Sequence, residues 1–341
     1  MWHIGDLGID GKVVSGPLSG YTTEAYRDFL RPFGVAVEYT EMVSDQGCIH
    51  GQKTTENFIK YERKGITGVQ LFGSDPDSLA HAALQALKIN PDIDFFDINM
   101  GCPVPKVNRT GAGSALMKDP KRCGDIIRTM KRELSIPVTA KIRLGWTISN
   151  PNFRKVIEEL EAADVDAVCI HPRTREERYS GTPHYDLLEG LGHEMSVPLI
   201  ISGNIYNLND AIEKVALTGA EGVMVARGGI GNPYLITQID RYFRTGEVLT
   251  NPTISQQIDW CLQIAEMLVQ ESGEEVAVRR LRSIAPKFIA GCFKGKEYRN
   301  LLATQTVSIE GLKADLERIR EAIGDDVAHN RGLPSEEDSS F

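Results

Sequence analysis

The residues of this chain best equipped for chemistry close an apolar run, Asp97-Ile98-Asn99-Met100-Gly101-Cys102-Pro103. A strand that ends in Asn, Gly and Cys sets an amide and a thiol together on one tight turn. A free thiol has a reference pKa of about 8.5, so at neutral pH it is mostly S–H and can donate a proton as well as act as a nucleophile.

Other runs also end in polar groups. Lys141 and Arg143 close Ala140-Lys141-Ile142-Arg143-Leu144-Gly145, and alternate strand residues share a face. A lysine inside a barrel needs an anionic partner, because an unpaired buried charge is costly. That partner is either a carboxylate on a neighbouring strand or an electron-poor ring that gains negative charge on reduction. Gln70 lies toward the end of the third run, Gly68–Phe72, and is similarly placed to bond the edge of a heterocycle. His171 ends another and is followed by Pro172-Arg173-Thr174-Arg175; it reads either as a satisfied structural imidazole or as a working one. The stretch Arg173–Tyr179 mixes cations with an aromatic, as phosphate and base contacts require, or as a solvated loop would. After Cys102, the loop through Lys106, Asn108, Arg109 and Gly113 is long and basic, and such loops are often functional.

Ser202-Gly203-Asn204 and Ala226-Arg227-Gly228-Gly229 each end a run just before a helical segment. Their glycines either make tight turns or let backbone N–H groups approach a phosphate, as loops after strands 7 and 8 of many barrels do. Neither is a dinucleotide fingerprint. Gly111-Ala112-Gly113 follows Asn-Arg-Thr rather than a strand and is set aside.

These groups need a scaffold, and the chain's rhythm supplies one. Apolar runs at Val13–Ser15, Ala36–Met42, Gly68–Phe72, Phe95–Met100, Val138–Ile142, Ala167–Ile170, Leu199–Ile201 and Gly222–Val225 alternate with helical patterns over 22–31, 76–89, 119–134, 151–163, 207–218 and 232–239. Asp75-Pro76, Asp119-Pro120 and Asn232-Pro233 read as helix starts. Eight strand-then-helix units have the size and rhythm of a (β/α)8 TIM barrel, an α/β fold; a doubly wound sheet would need a strand-order reversal. Past residue 245 the pattern becomes all-helical. Apolar stripes over 254–269, 278–288 and 309–323 predict a small helical bundle, with Pro286 expected to kink the second. The expected division is 1–245 for the barrel, 246–328 for the helical domain and 329–341 for a disordered acidic tail.

Composition narrows the function. The 341 residues are 41% hydrophobic and 25% charged, as in an ordinary globular protein. No apolar stretch approaches a membrane span and no signal-peptide core precedes the barrel, so no membrane association is expected. Six cysteines lack CxxC or Cys/His spacing, which points to no metal and to a reduced, cytoplasmic protein. A net charge of −9 argues against indiscriminate coating of nucleic acid. Yet between Arg279 and Arg299 seven basic residues face one acid, Glu297. A basic tail beside basic barrel loops fits a polyanionic substrate better than a small metabolite, unless it is only a solvated face.

Together these pieces resemble the tRNA-dihydrouridine synthase family, from about residue 4 to 240 and more loosely through the tail. Gly16-Pro17-Leu18-Ser19-Gly20-Tyr21-Thr22, Glu41-Met42-Val43-Ser44, Gly68–Gly73, Asp97–Pro103, Lys141-Ile142-Arg143 and His171–Arg175 match its blocks in order. The Ile4-Gly5 start and the length look most like the bacterial B branch. The sequence departs from the family at Ile201-Ser202-Gly203-Asn204, where Asn-Gly-Asp is commoner, and at Pro172, where glycine is usual. The resemblance implies a flavin mononucleotide (FMN) barrel, expected as a monomer, that reduces the C5–C6 bond of tRNA uridines with NADPH or NADH. Carried over, Pro17, Gln70, Lys141, His171, Gly203, Asn204, Ala226, Arg227 and Gly228 would hold the cofactor. Cys102 would protonate the base, acting as a general acid once the flavin supplies the hydride. Asn99, Lys106, Arg173, Arg175, Arg279 and Arg282 would contact the RNA. The competing readings are an FMN barrel dehydrogenase acting on a free pyrimidine, and an RNA-binding barrel without catalysis.

Overall fold

In the computed structural model, which describes residues 1–328, the chain opens with an antiparallel hairpin of β1 (Trp2–Ile4) and β2 (Leu7–Ile9). The expected acidic tail, 329–341, lies outside the described residues. Next come β3 (Val13–Ser15), β4 (Glu38–Tyr39), β5 (Val43–Ser44), β6 (Thr67–Phe72), β7 (Phe95–Asn99), β8 (Val138–Arg143), β9 (Ala167–His171), β10 (Leu199–Ser202) and β11 (Gly222–Val225). Their spatial order is β3-β11-β10-β9-β8-β7-β6-β4, with every pair parallel. A parallel bridge between Val14 and Val37 joins the two ends, with Ser15 N donating to Val37 O at 2.9 Å. The expected eight-stranded parallel barrel is therefore what the chain forms.

One expected strand is interrupted. The run Ala36–Met42 does not continue through: β4 ends at Tyr39 and β5 resumes at Val43, still paired with β6. The Thr40 hydroxyl takes a ladder position, accepting from Gln70 N at 3.3 Å, while Glu41 turns away to accept from Gly20 N at 2.8 Å. Two short helices that the sequence reading omitted, Asp45–Ile49 and Lys53–Ile59, fill the connection to β6.

Strand alternation sorts the core into two shells. Val14, Tyr39, Phe95, Cys169, Ile200 and Met224 point inward and meet Trp2, Ile4 and Ile9 of the hairpin at one end of the barrel. Phe96, Ile98, Val138, Ile142, Val168 and Ile201 point outward against the surrounding helices. Higher in the interior the same alternation carries Asp97 and Asn99 of β7, and Thr139 and Lys141 of β8. Helix Pro76–Ile89 starts where Asp75 caps Ser78 N at 3.0 Å, and helix Pro120–Glu133 where Asp119 caps Arg122 N at 3.2 Å. At the third expected start, Pro233 rather than Asn232 is the cap, and the helix runs Tyr234–Thr245.

The C-terminal region holds four helices where three stripes were read: Ile254–Ser272, Glu274–Phe288, Gly295–Gln305 and Ile309–Ile323. The helix Gly295–Gln305 escaped because its apolar face is sparse; Gly295 and Leu302 are its buried residues. Pro286 lies in the last turn of its helix, near the end rather than at a mid-helix kink. These helices dock on the barrel through helix Glu24–Leu30. Phe29 meets Phe288 edge-on at 6.4 Å, and Ala25 N donates to the Glu271 carboxylate at 2.9 Å. Among the described residues no helix is long and apolar enough to cross a membrane.

Candidate active site

The strand ends surround a cavity of about 260 Å³ at the C-terminal mouth of the barrel, the end where barrels of this kind place their chemistry. Pro17, Gln70, Asn99, Cys102, Lys141, His171, Gly203, Asn204, Ala226, Arg227 and Gly228 all line it, so eleven of the expected site residues share one space. Lys106, Arg175, Arg279 and Arg282 lie outside its lining, and Arg173 is set behind it.

One wall is built by β6, β7 and β8. Register places Gln70 beside Asp97 and Asn99 beside Lys141. Gln70 Nε2 donates to Asp97 Oδ2 at 2.6 Å, and Thr139 Oγ1 donates to Asp97 Oδ1 at 2.6 Å. Burial raises the Asp97 carboxyl to about 6, opposed by those two hydrogen bonds and by the Lys141 charge. Asp97 is the buried carboxylate whose charge Lys141 favours from the neighbouring strand, without a direct ion pair between them. Asn99 is fully bonded by the protein. Its Nδ2 donates to Gln70 Oε1 at 2.8 Å and to Met42 Sδ at 2.9 Å, while its Oδ1 accepts from Cys102 N at 2.9 Å and Gly101 N at 3.2 Å.

Cys102 stands on the turn that follows. Its carbonyl accepts from Ser114 N, Ser114 Oγ and Asn108 Nδ2, which pins the basic loop against the turn. Burial pushes the Cys102 thiol up from its ordinary value, against the opposing pull of the Val104 N–H, Arg143 and Lys141. The thiol is therefore protonated at neutral pH, as a proton donor must be.

The opposite wall carries positive charge. His171 is buried, and burial followed by the charges of Arg143, Lys141, Arg173 and Arg227 drives its pKa well below the usual imidazole range. Arg173, read from sequence as an RNA contact, is 1% exposed. Its guanidinium donates to Ser180 O, Gly181 O and Asn204 Oδ1, so it braces the site from behind instead of facing outward. Its own pKa falls to about 10 through burial and the like charges of Arg227 and Arg143. Crowded cations that depress one another mark a place where an anion would be welcome. Beside them two glycines let the lining loops pack closely on their neighbours. A Cβ on Gly203, whose φ is +113°, would meet His171 Cδ2 at 2.8 Å, and one on Gly228 would meet Ile205 O at 1.9 Å. A glycine cradle with cations at one end and an amide–lysine edge at the other fits a flat heterocycle bearing a phosphate.

Among the lining residues not expected as site members, Arg143 and Tyr179 carry the most chemistry. Arg143 donates to Gly101 O at 2.7 Å, Thr174 O at 2.9 Å and Arg178 O at 2.7 Å, tying the Cys102 turn to the loop after β9. Tyr179, drawn over the cavity by that loop, stands between Arg143 and Arg227, whose guanidinium carbons are 5.3 and 5.1 Å from its ring centre. Their shared face with Lys141 and the cation–aromatic mix of 173–179 were the available signals. Lys287 of helix Glu274–Phe288 also reaches the lining, so the C-terminal helices contribute to the cavity. The rest of the basic run divides: Arg280 pairs with Glu271 at 2.7 Å, Arg282 donates to Thr306 O at 2.8 Å, and Arg279 stays exposed. On the rim, Lys106 is exposed, while Lys118 and Arg175 lie 3.5 and 4.7 Å from the Trp146 ring. Among the described residues no group of three or more His, Cys, Asp or Glu side chains is arranged to hold a metal ion.

Residues 13–325 match the sequence profile of the family described as dihydrouridine synthase (Dus). A probable tRNA-dihydrouridine synthase of Rickettsia conorii is 32% identical over 303 residues, 88% of this chain and 90% of that protein. The tRNA-dihydrouridine synthase B of Pasteurella multocida is 30% identical over 294 residues, 86% of this chain and 87% of that one. Among solved structures, histamine dehydrogenase from Rhizobium sp. 4-9 aligns with a TM-score of 0.51 at 15% identity, over 78% of this chain and 50% of that one. The amine oxidase HisD from Pseudomonas geniculata N1 aligns at 0.55 and 11% identity, over 98% of this chain and 68% of that one. At such identities the likeness is one of fold.

Proposed function

This chain belongs to the dihydrouridine synthase family and is an oxidoreductase; we propose that it reduces uridines of tRNA to 5,6-dihydrouridine, with FMN as its cofactor and NADPH or NADH as electron donor. The observation that carries this reading is a buried thiol, Cys102, whose burial favours its S–H form, in the same cavity as cationic glycine loops and a Gln70–Lys141 edge.

Gln70 and Lys141 would hold the ring of the flavin, and Gly203, Asn204, Arg227 and Gly228 its phosphate, with Pro17, His171 and Ala226 packed alongside. When bound, the flavin supplies hydride chemistry toward C6 of the base. Cys102 gives the proton to C5, and Lys141 and Arg143 stabilise the thiolate left behind. Tyr179 and the Arg143-tied loop exclude water from that transfer. The uridine must leave its stack to reach the thiol, with Lys106, Arg175, Arg279, Arg282 and Lys287 as the phosphate contacts that hold the RNA. We assign catalysis to 1–245 and RNA grip to 246–328, in a monomer. All six cysteines are unpaired, which suits a reducing cytoplasm. Site-by-site mass spectrometry of nucleosides in tRNA from cells lacking this gene tests the reading. One dihydrouridine position should revert to uridine, and an unchanged dihydrouridine map would refute it.

A further inference from the structure

Asp97 is not needed for any step of that reaction, yet it anchors one end of a hydrogen-bond chain on which two cavity residues depend. The chain runs from Cys102 N–H to Asn99 Oδ1 (2.9 Å), from Asn99 Nδ2–H to Gln70 Oε1 (2.8 Å), and from Gln70 Nε2–H to Asp97 Oδ2 (2.6 Å). Every link donates toward Asp97. An amide can be turned end for end with almost no change of shape, so nothing in the packing of Gln70 or Asn99 decides which way each points. The two ends decide it. A backbone N–H can only donate and an ionised carboxylate can only accept. If Gln70 were reversed, its carbonyl would face the carboxylate across 2.6 Å and its NH2 would face the NH2 of Asn99. Asp97 and Gln70 are fully buried, so no water compensates for such a clash. Thr139 Oγ1 occupies the other carboxylate oxygen and fixes Asp97 itself.

We propose that Asp97 is a positioning residue that holds Gln70 Nε2 and so keeps Gln70 Oε1 on Asn99, which the Cys102 and Gly101 N–H groups already orient as a donor toward the cavity. Resting on the tRNA reading above, the consequence concerns recognition. The second N–H of Asn99 lies on the sulfur of Met42, a weak acceptor that also lines the cavity. A carbonyl oxygen of a uracil replaces that sulfur with gain, whereas an N–H or amino group presented at the same point meets a donor and is rejected. Burial favours the protonated form of Asp97, and the hydrogen bonds from Thr139 and Gln70 and the charge of Lys141 oppose it.

The test swaps the polarity of one link. In Asp97→Asn the terminal group can donate or accept, so Gln70 loses its fixed acceptor and is held only from the Asn99 side; in Asp97→Asn/Gln70→Glu the acceptor-only group moves one position along the chain and faces Asn99 Nδ2 directly. The primary readout is the side-chain amide signal of Asn99 in 15N-labelled, deuterated protein without tRNA, assigned by its loss in Asn99→Asp. The signal should move in Asp97→Asn and return toward its original position in the double variant. In parallel, the KM for tRNA should rise roughly tenfold in the single variant, equivalent to one lost hydrogen bond, and recover in the double. The affinity of Gln70→Glu proteins for FMN should stay weakened, because that edge has changed. An Asn99 signal unmoved by Asp97→Asn, or still displaced in the double variant, overturns the proposal. If the single variant does not fold, the double variant decides alone on the same signal, and its failure to fold also counts against the proposal. Because the signal is read without turnover, a protein inactive on tRNA would refute the functional reading and leave this result standing.

Discussion

Nη1 of Arg173 stands 3.1 Å from Nε2 of His171, both buried at the edge of the cavity. Arginine has donors only, so Nε2 accepts, and the neutral ring carries its proton on Nδ1. Burial first, and four nearby cations second, keep it so. The 15N shifts of His171 should therefore report the Nδ1–H tautomer and show no titration between pH 8 and 5.5. The linkage sign follows. The unfolded chain takes up a proton near pH 6.5 that the native ring refuses, so stability is lost as pH falls through that value. His171→Gln should flatten the acid limb of the urea midpoint, and an unchanged limb would show that the ring is not the neutral group described.

Asp97 has the opposite sign. Its pKa is raised from 3.8 to about 6, mainly by burial, with Lys141 as the facing cation and Tyr39 and Cys169 as the other titratable neighbours. Between those values the native state holds a proton that the unfolded chain has released, so this group's contribution falls as pH rises to about 6. Relative to wild type, Asp97→Asn should gain stability across pH 4 to 6 by up to about 3 kcal/mol. Chemical denaturation of both proteins at several pH values measures it, and a pH-independent difference would contradict the assignment.

The glycine cradle makes a steric prediction. Gly203→Ala drives a methyl to 2.8 Å from His171 in a left-handed backbone, and Gly228→Ala drives one to 1.9 Å from Ile205 O. Overpacking of this kind costs about 1–3 kcal/mol. Both variants should purify with substoichiometric flavin, the second more so because its clash is with backbone. Absorbance against protein concentration settles it; full flavin content in Gly228→Ala would show that the packing of this loop on Ile205 does not shape the cofactor site.

The basic run should separate by position. Lys287→Ala and Arg279→Ala should each lower the salt slope of tRNA binding by about 0.9, the signature of one phosphate contact. Arg282→Ala also loses its bond to Thr306 O and should in addition cost about 1 kcal/mol of stability. Equal salt slopes for wild type and Lys287→Ala would remove that lysine from the RNA surface.

Much of this was legible because barrel chemistry sits at strand ends, and Gln70, Asn99, Lys141 and His171 each lie at or toward the end of an apolar run. Periodicity says that Lys141 faces inward; it cannot say that Asn99 stands beside it and Asp97 beside Thr139, because register between strands is a tertiary fact. Arg173 read as a surface cation because its spacing resembles a solvated loop, and only the fold shows the carbonyls of Ser180 and Gly181 closing around it. Lys287 was read as part of a charge run, and its arrival at the cavity depends on Phe288 docking against Phe29. The split of Ala36–Met42 turns on one hydroxyl, that of Thr40, replacing a backbone acceptor, which no hydrophobic pattern records.

The central claim is that Cys102 supplies the proton while the rest of the cavity holds the flavin. Rapid mixing separates the two. Cys102→Ala should be reduced by NADPH at the wild-type rate, while reoxidation of the reduced protein by tRNA should slow by about 10²–10⁴-fold, the usual contribution of a positioned general acid. Reoxidation by tRNA at the wild-type rate in Cys102→Ala would contradict the account.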